Sequence, residues 1–169
     1  PAGSVSDATI CTTDLLATCA ELMGTKLPAD AGEDSYSLLP LLDDDPATAY
    51  ARPHTVHHSI EGTFALRQGD WKLIFGSSSG GWSHPTPWEA DTLDLPPYQL
   101  YHLGEDPAET NNRYGKEPAK AREMARLMER LIDEGRSTPG PTQPNAPSMH
   151  ERGWPGLEAV RQLAGPDPQ

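Results

Sequence analysis

Large aliphatic side chains are scarce in this chain. Leu, Ile, Val and Phe account for 27 of its 169 residues, and the formal net charge is -12. That pairing borders on the composition of disordered chains, which bury too little apolar surface to offset the entropy of ordering. It excludes a self-sufficient, richly cored domain: part of the chain is unstructured, or part of its core comes from elsewhere. Basic residues are also few, 13 against 25 acids. A general nucleic-acid binder needs a basic stripe to neutralise phosphates, so that class is set aside. No apolar run nears the ~20 residues that cross a bilayer, so no membrane span is expected. The opening Pro1-Ala2-Gly3-Ser4-Val5 lacks a basic segment followed by an apolar one, so no export signal is expected there. Two cysteines, Cys11 and Cys19, are too few for a disulfide framework. On one helix they would sit ~12 Å apart along the axis, too far to bridge.

Gly and Pro, by contrast, are in excess at 33 residues together, and their placement punctuates the chain. A first helix is predicted over Thr13–Met23, capped by Thr12 or Thr13, with Asp14 in the first turn and Gly24 ending it. Leu15, Cys19 and Leu22, flanked by Leu16, Ala20 and Met23, form its apolar stripe, so Cys19 is expected to be buried and inert. The apolar stretch Ser37–Leu42 runs into Asp43-Asp44-Asp45-Pro46, an acidic linker without the spaced ligands and terminal Glu of a calcium loop. From His54 the periodicity becomes that of strands: His54–Ile60, Thr63–Arg67, Trp71–Phe75 and Gln99–Leu103, with Glu61-Gly62 and Gln68-Gly69-Asp70 as tight turns. This pattern predicts an antiparallel meander.

A long insertion, Gly76–Pro97, carries Trp82 and Trp88. Structureless loops of this length are usually functional or disordered. The two indoles either line a cleft or pin the loop to its own domain, and burial is the commoner fate of Trp. A second helix follows, Pro118–Glu134, with Ala121, Met124, Met128, Leu131 and Ile132 on its apolar side and Gly135 as its stop. Charge reverses here: residues 113–136 carry seven bases and five acids, whereas residues 1–54 carry two and nine. That basic block reads as a solvated helix face. Beyond Gly140 the chain is proline-rich and extended, with one short helix within Trp154–Leu163.

Candidate chemistry is sparse. There is no phosphate-binding Gly loop, no Cys/His set with zinc spacing, and no activated serine at the turn Ser137-Thr138-Pro139-Gly140. The cluster His54, His57 and His58 is the best local signal. Neighbours on a strand face opposite ways, so His57 and His58 cannot both face a core. A His pair at a strand end suits contact with an anionic substrate or general acid–base work near neutral pH. It equally suits an ordinary polar strand edge.

Several segments taken in order resemble the C-terminal portion of type I sulfatases (arylsulfatases) of the alkaline-phosphatase-like superfamily. They are Thr13–Gly24, Ser35–Leu42, the meander from His57-His58-Ser59-Ile60 through Phe64-Ala65-Leu66-Arg67-Gln68-Gly69-Asp70-Trp71-Lys72-Leu73-Ile74, Gln99–Leu103, Asp106–Asn112 and Gly135–Gly140. Ala17 stands where many relatives carry proline. The resemblance implies an α+β fold: a small four-stranded antiparallel sheet with a packed C-terminal helix, preceded by the last helix of an α/β domain. Residues 1–45 would close that catalytic domain, residues 46–143 would form the C-terminal subdomain, and residues 144–169 a Pro-rich tail.

The family hydrolyses sulfate esters with a formylglycine, made from a Cys/Ser-x-Pro/Ala-x-Arg motif, beside a calcium ion. The motif and the calcium ligands are absent from these 169 residues. The resemblance therefore implies a fragment inactive alone, whose partner is the missing N-terminal sulfatase domain. The intact enzyme's substrate would be a sulfated small molecule or glycan. His57 and His58 match the place where relatives approach the substrate, with a role in contacting sulfate or leaving group. Trp82 and Trp88 would shape the cleft rim. Many relatives are exported, which implies a periplasmic or secreted protein. A stand-alone binding module, or a phosphatase or phosphonate hydrolase fragment of the same superfamily, is the alternative.

Overall fold

The computed structural model describes residues 3, 5–42, 50, 52–147, 154 and 156–165. The acidic run Asp43–Asp45 lies outside them. Along the chain come α1 (Asp14–Leu22), α2 (Leu39–Leu42), β1 (Thr55–His58), β2 (Phe64–Gln68), β3 (Trp71–Ile74), α3 (Pro87–Ala90), β4 (Gln99–His102), α4 (Pro118–Glu134) and α5 (Leu157–Ala164). The fold is α+β, with one four-stranded antiparallel sheet in the order β1-β2-β3-β4. The chain divides into two compact units: Pro1–Thr55 with Leu131–Asn145, and Val56–Arg130 with Ala146–Gln169.

The second unit holds the apolar core. Register places Leu66 opposite Leu73 and Leu73 opposite Leu100. Because residues directly opposite on neighbouring strands share a face, these three leucines form one row, and all are fully buried. Ala121, Met124, Ala125 and Met128 of α4 are buried as well, together with Val160 and Ala164 of α5. Each leucine so placed is worth roughly 1.5–3 kcal/mol in apolar burial. Tyr98 donates its hydroxyl to the Ala159 carbonyl at 3.1 Å, tying α5 to the strand side. The other sheet face carries the row Arg67, Lys72 and Tyr101.

The segment after β4 is built on side-chain caps. Asp106 accepts hydrogen bonds from the Thr110 and Asn111 amides. Asn112 accepts from the Leu100 amide and donates to the Tyr98 carbonyl, so the loop continues the edge of the sheet.

Burial in the first unit is polar. Asp14 is fully buried. One carboxylate oxygen accepts from the Cys11 amide at 2.8 Å, and the other from the Tyr36 amide and the Arg52 guanidinium. Ser35 donates to the Thr13 carbonyl and accepts from the Ala17 amide. Thr18 accepts from the Leu38 amide. Arg136 directs its guanidinium at the carbonyls of Ala29, Thr138, Pro139 and Pro141 and at the Thr138 hydroxyl. Gly24 and Gly135 both adopt a φ of 64°, the left-handed stops expected of them.

Three expectations for α1 need correction. Neither Thr12 nor Thr13 caps it with its side chain; the Ser35 hydroxyl accepts from the Ala17 amide of the first turn instead. The inward side of the helix is Asp14 and Thr18, while Leu15, Leu16, Leu22 and Met23 are 49–80% exposed. Cys19 is consequently exposed, not buried. The polar side faces in because its hydrogen-bonding partners lie in residues 35–38 and 52.

Candidate functional site

Strand β1 ends in the two histidines, both of them solvent-exposed. His58 places Nδ1 2.8 Å from the Ser59 carbonyl oxygen, which orients its ring. His57 is pushed below the ordinary imidazole range, first by partial burial and then by the Lys72 ammonium, with Glu109 opposing. It is therefore neutral at pH 7, with one ring nitrogen to donate and one to accept. His54 lies before β1, half-buried, in the first unit.

The charges acting on His57 form a built arrangement. Lys72 of β3 bonds both carboxylate oxygens of Glu109, at 2.7 and 2.9 Å. Glu109 has a φ of 56°, a conformation few non-glycine residues adopt. Burial, then Glu109 and Asp106, raise the Tyr101 phenol above its usual value, so it stays protonated. Tyr101 donates its hydroxyl to Gln99 at 2.8 Å, and the Gln99 amide donates to the Gly76 and Ser78 carbonyls. The sheet face beside His57 is thereby linked to the first residues of the insertion. None of Lys72, Glu109, Tyr101 or Gln99 stands out in the sequence. The one available signal is the same-face row Arg67–Lys72–Tyr101, which becomes visible only once register is known.

The insertion is not structureless. The Glu61 amide donates to the Gly80 carbonyl. Gly80 itself, at a φ of 67°, presses so closely that a Cβ there would fall 2.3 Å from Ser59 Oγ. Farther along, Thr86 and Glu89 form a reciprocal capping box that starts α3. The insertion is thus fixed against the turn that follows His58. Its tryptophans are not what fixes it: Trp82 is 86% and Trp88 82% exposed. The more usual fate of Trp, burial within its own domain, does not apply here. Among the described residues neither indole pairs with another aromatic ring, and none of the described contacts joins either to His57 or His58. Ile60, also exposed, lies next to Gly81, so apolar surface flanks the histidine turn.

No protein-family model and no curated protein matches the chain. Solved structures do. A Bacteroides thetaiotaomicron protein labelled BT33336S-sulf, solved in work on the metabolism of multiple glycosaminoglycans, is 32% identical over 70% of this chain and 24% of its own, with a TM-score of 0.54. Two others are a protein called BT4656, in complex with its substrate D-glucosamine-2-N,6-O-disulfate, and Ps i-CgsB. BT4656 is 22% identical over 70% of this chain and 23% of its own, with a TM-score of 0.45. Ps i-CgsB is 18% identical over 77% and 26%, with a TM-score of 0.47. The chain spans about a quarter of the length of each of these three structures.

Proposed function

We propose that this chain is the C-terminal portion of a sulfatase and takes part in sulfate-ester hydrolysis only within that longer polypeptide. The observation that carries the reading is the 32% identity to the Bacteroides protein over 70% of this chain, against 24% of the other. The outward apolar side of α1 supports it, since a helix of a catalytic domain would turn that side toward its own sheet.

Among the described residues no group of three His, Cys, Asp or Glu side chains is placed to hold a metal ion. The described residues do not fit a calcium site; on this reading calcium and formylglycine belong to the N-terminal domain. What this chain contributes is a neutral His57 held beside the Lys72–Glu109 pair, and an exposed His58 at the end of the same strand. They would donate to the sulfate or the leaving oxygen of a sulfated small molecule or glycan, with Trp82 and Trp88 forming the rim. In the whole polypeptide, His58→Ala or His57→Ala should lower sulfate-ester kcat/KM by roughly tenfold, about the worth of one charge-assisted hydrogen bond, while the melting temperature holds. Unchanged turnover in both variants removes the histidine role. An upstream reading frame encoding Cys/Ser-x-Pro/Ala-x-Arg and continuous with Pro1 supports the assignment; a start codon near Pro1 with no such frame overturns it.

A further inference from the structure

Both outward tryptophans of the insertion stand on ordered backbone. Trp82 lies in a loop closed twice by Ser79, whose amide donates to the Pro85 carbonyl at 2.8 Å and whose hydroxyl donates to the Ser83 carbonyl at 2.7 Å. Trp88 is the second residue of α3, the helix whose start the Thr86–Glu89 capping box fixes. A ligand therefore meets both indoles at little further cost in ordering entropy. The charge around them has one sign. Residues 76–97 hold no Lys or Arg, three acids (Glu89, Asp91 and Asp94) and six hydroxyl side chains. Asp91 and Asp94 are exposed. Glu89 engages Nδ1 of the exposed His84 at 3.0 Å, so Nε2 is the ring nitrogen left to meet a ligand hydroxyl. An anionic group is repelled here, whereas an uncharged ring finds an apolar face to lie on and polar neighbours for its edge.

We propose that Trp82 and Trp88 form a stacking platform for uncharged sugar rings of a glycan. A pyranose with equatorial hydroxyls carries C–H bonds on its faces and its polar groups at its edge, and the negative face of an indole attracts those C–H groups. Among the described residues no other aromatic ring occupies either indole. Together the two indoles offer at most ~500 Å², below the ~800 Å² that each side of a stable protein interface contributes. That area favours a sugar ring over a protein partner, and the surrounding acids disfavour an anionic membrane surface. The stacking site follows from the insertion alone; its place beside a sulfated sugar, on the unsulfated rings flanking the ester, rests on the sulfatase reading.

The test is titration of the full 169-residue chain with chitohexaose, an uncharged β-linked sugar chain, and with its O-sulfated counterpart, followed by calorimetry and indole fluorescence. Chitohexaose should bind with a blue shift of the emission. The sulfated sugar should bind at least about threefold more weakly at low salt, a gap that closes at high salt. Trp82→Ala and Trp88→Ala should each weaken chitohexaose binding about fivefold, the worth of one aromatic stacking contact, with an unchanged melting temperature. Asp91→Asn with Asp94→Asn should narrow the gap between the two sugars at low salt. No binding of chitohexaose, or equal affinity in the parent and the W82A/W88A double variant, overturns the platform. Tighter binding of the sulfated sugar overturns the preference for uncharged rings. Self-association of the parent that vanishes in the double variant, with no sugar bound, overturns the glycan assignment in favour of a second copy of the chain. Sulfate-ester turnover by the whole polypeptide enters none of these readouts and tests the sulfatase reading separately.

Discussion

In the second unit Leu66, Leu73 and Leu100 are fully buried while Arg67 and Lys72 face the other way; in the first, Asp14 and Thr18 are buried while Leu15, Leu22 and Met23 face solvent. One unit is organised by apolar area, the other by saturated hydrogen bonds around buried charge. The contrast shows how to read the scarcity of aliphatic residues. The second unit has enough of them for a core. The first spends its own on an outward side and holds itself together through Asp14, Ser35, Arg52 and Arg136. A hydrogen-bonded interior of this kind fixes geometry well and tolerates loss of a partner badly, because a stranded charge has no water to turn to.

The comparison breaks most directly at its two centres. Asp14→Ala strands the Arg52 guanidinium, whose side chain is 3% exposed, and should destabilise the first unit by about 3–5 kcal/mol. Leu73→Ala should take about 2–5 kcal/mol from the second. In hydrogen exchange, the first substitution should release the amides of Tyr36 and Cys11 and spare β2–β3, and the second should do the reverse. Equal loss across both units in either variant would show a single cooperative body.

Paired changes on the outward side of α1, Leu22→Gln with Met23→Gln, sharpen the contrast with a smaller effect. Stability should move by less than about 0.5 kcal/mol, while self-association and binding of a hydrophobic dye should fall. A loss above about 1 kcal/mol would mean that these side chains are covered within the chain.

The second unit was the more legible in sequence. Short β-branched and aromatic runs between Gly turns announce the meander, and Pro118 and Gly135 bracket α4. The first unit was not, because the inward side of α1 is set by residues far along the chain. Asp14 and Thr18 look like ordinary polar helix positions until Tyr36, Leu38 and Arg52 are brought to them. The candidate site shows the same division. His57 and His58 could be picked out by type and position. Lys72 and Glu109 could not, since their pairing needs both the strand register and a left-handed residue at 109.

The smallest expected effect concerns pH. His57 binds a proton less readily in the folded chain than in the unfolded one. Above the ordinary imidazole value of about 6.5 both states are neutral there and the residue contributes no pH dependence. As pH falls below it, the unfolded state takes up the proton first, so stability declines toward the lower folded value. Melting temperatures followed from pH 7.5 to 5 should therefore drop less steeply in His57→Gln than in the parent. Parallel curves would mean that the ring is solvated like a free imidazole.

The hydrogen bonds from Gln99 to Gly76 and Ser78, with the close seat of Gly80 on Ser59, have a consequence for how this surface can diversify. The mounting of the insertion and its display are separate sets of residues. Trp82 and Trp88 can be exchanged for other side chains without disturbing a bond that holds the segment in place. The turn after His58 thus carries a replaceable cassette, whose outer surface can vary over an unchanged sheet.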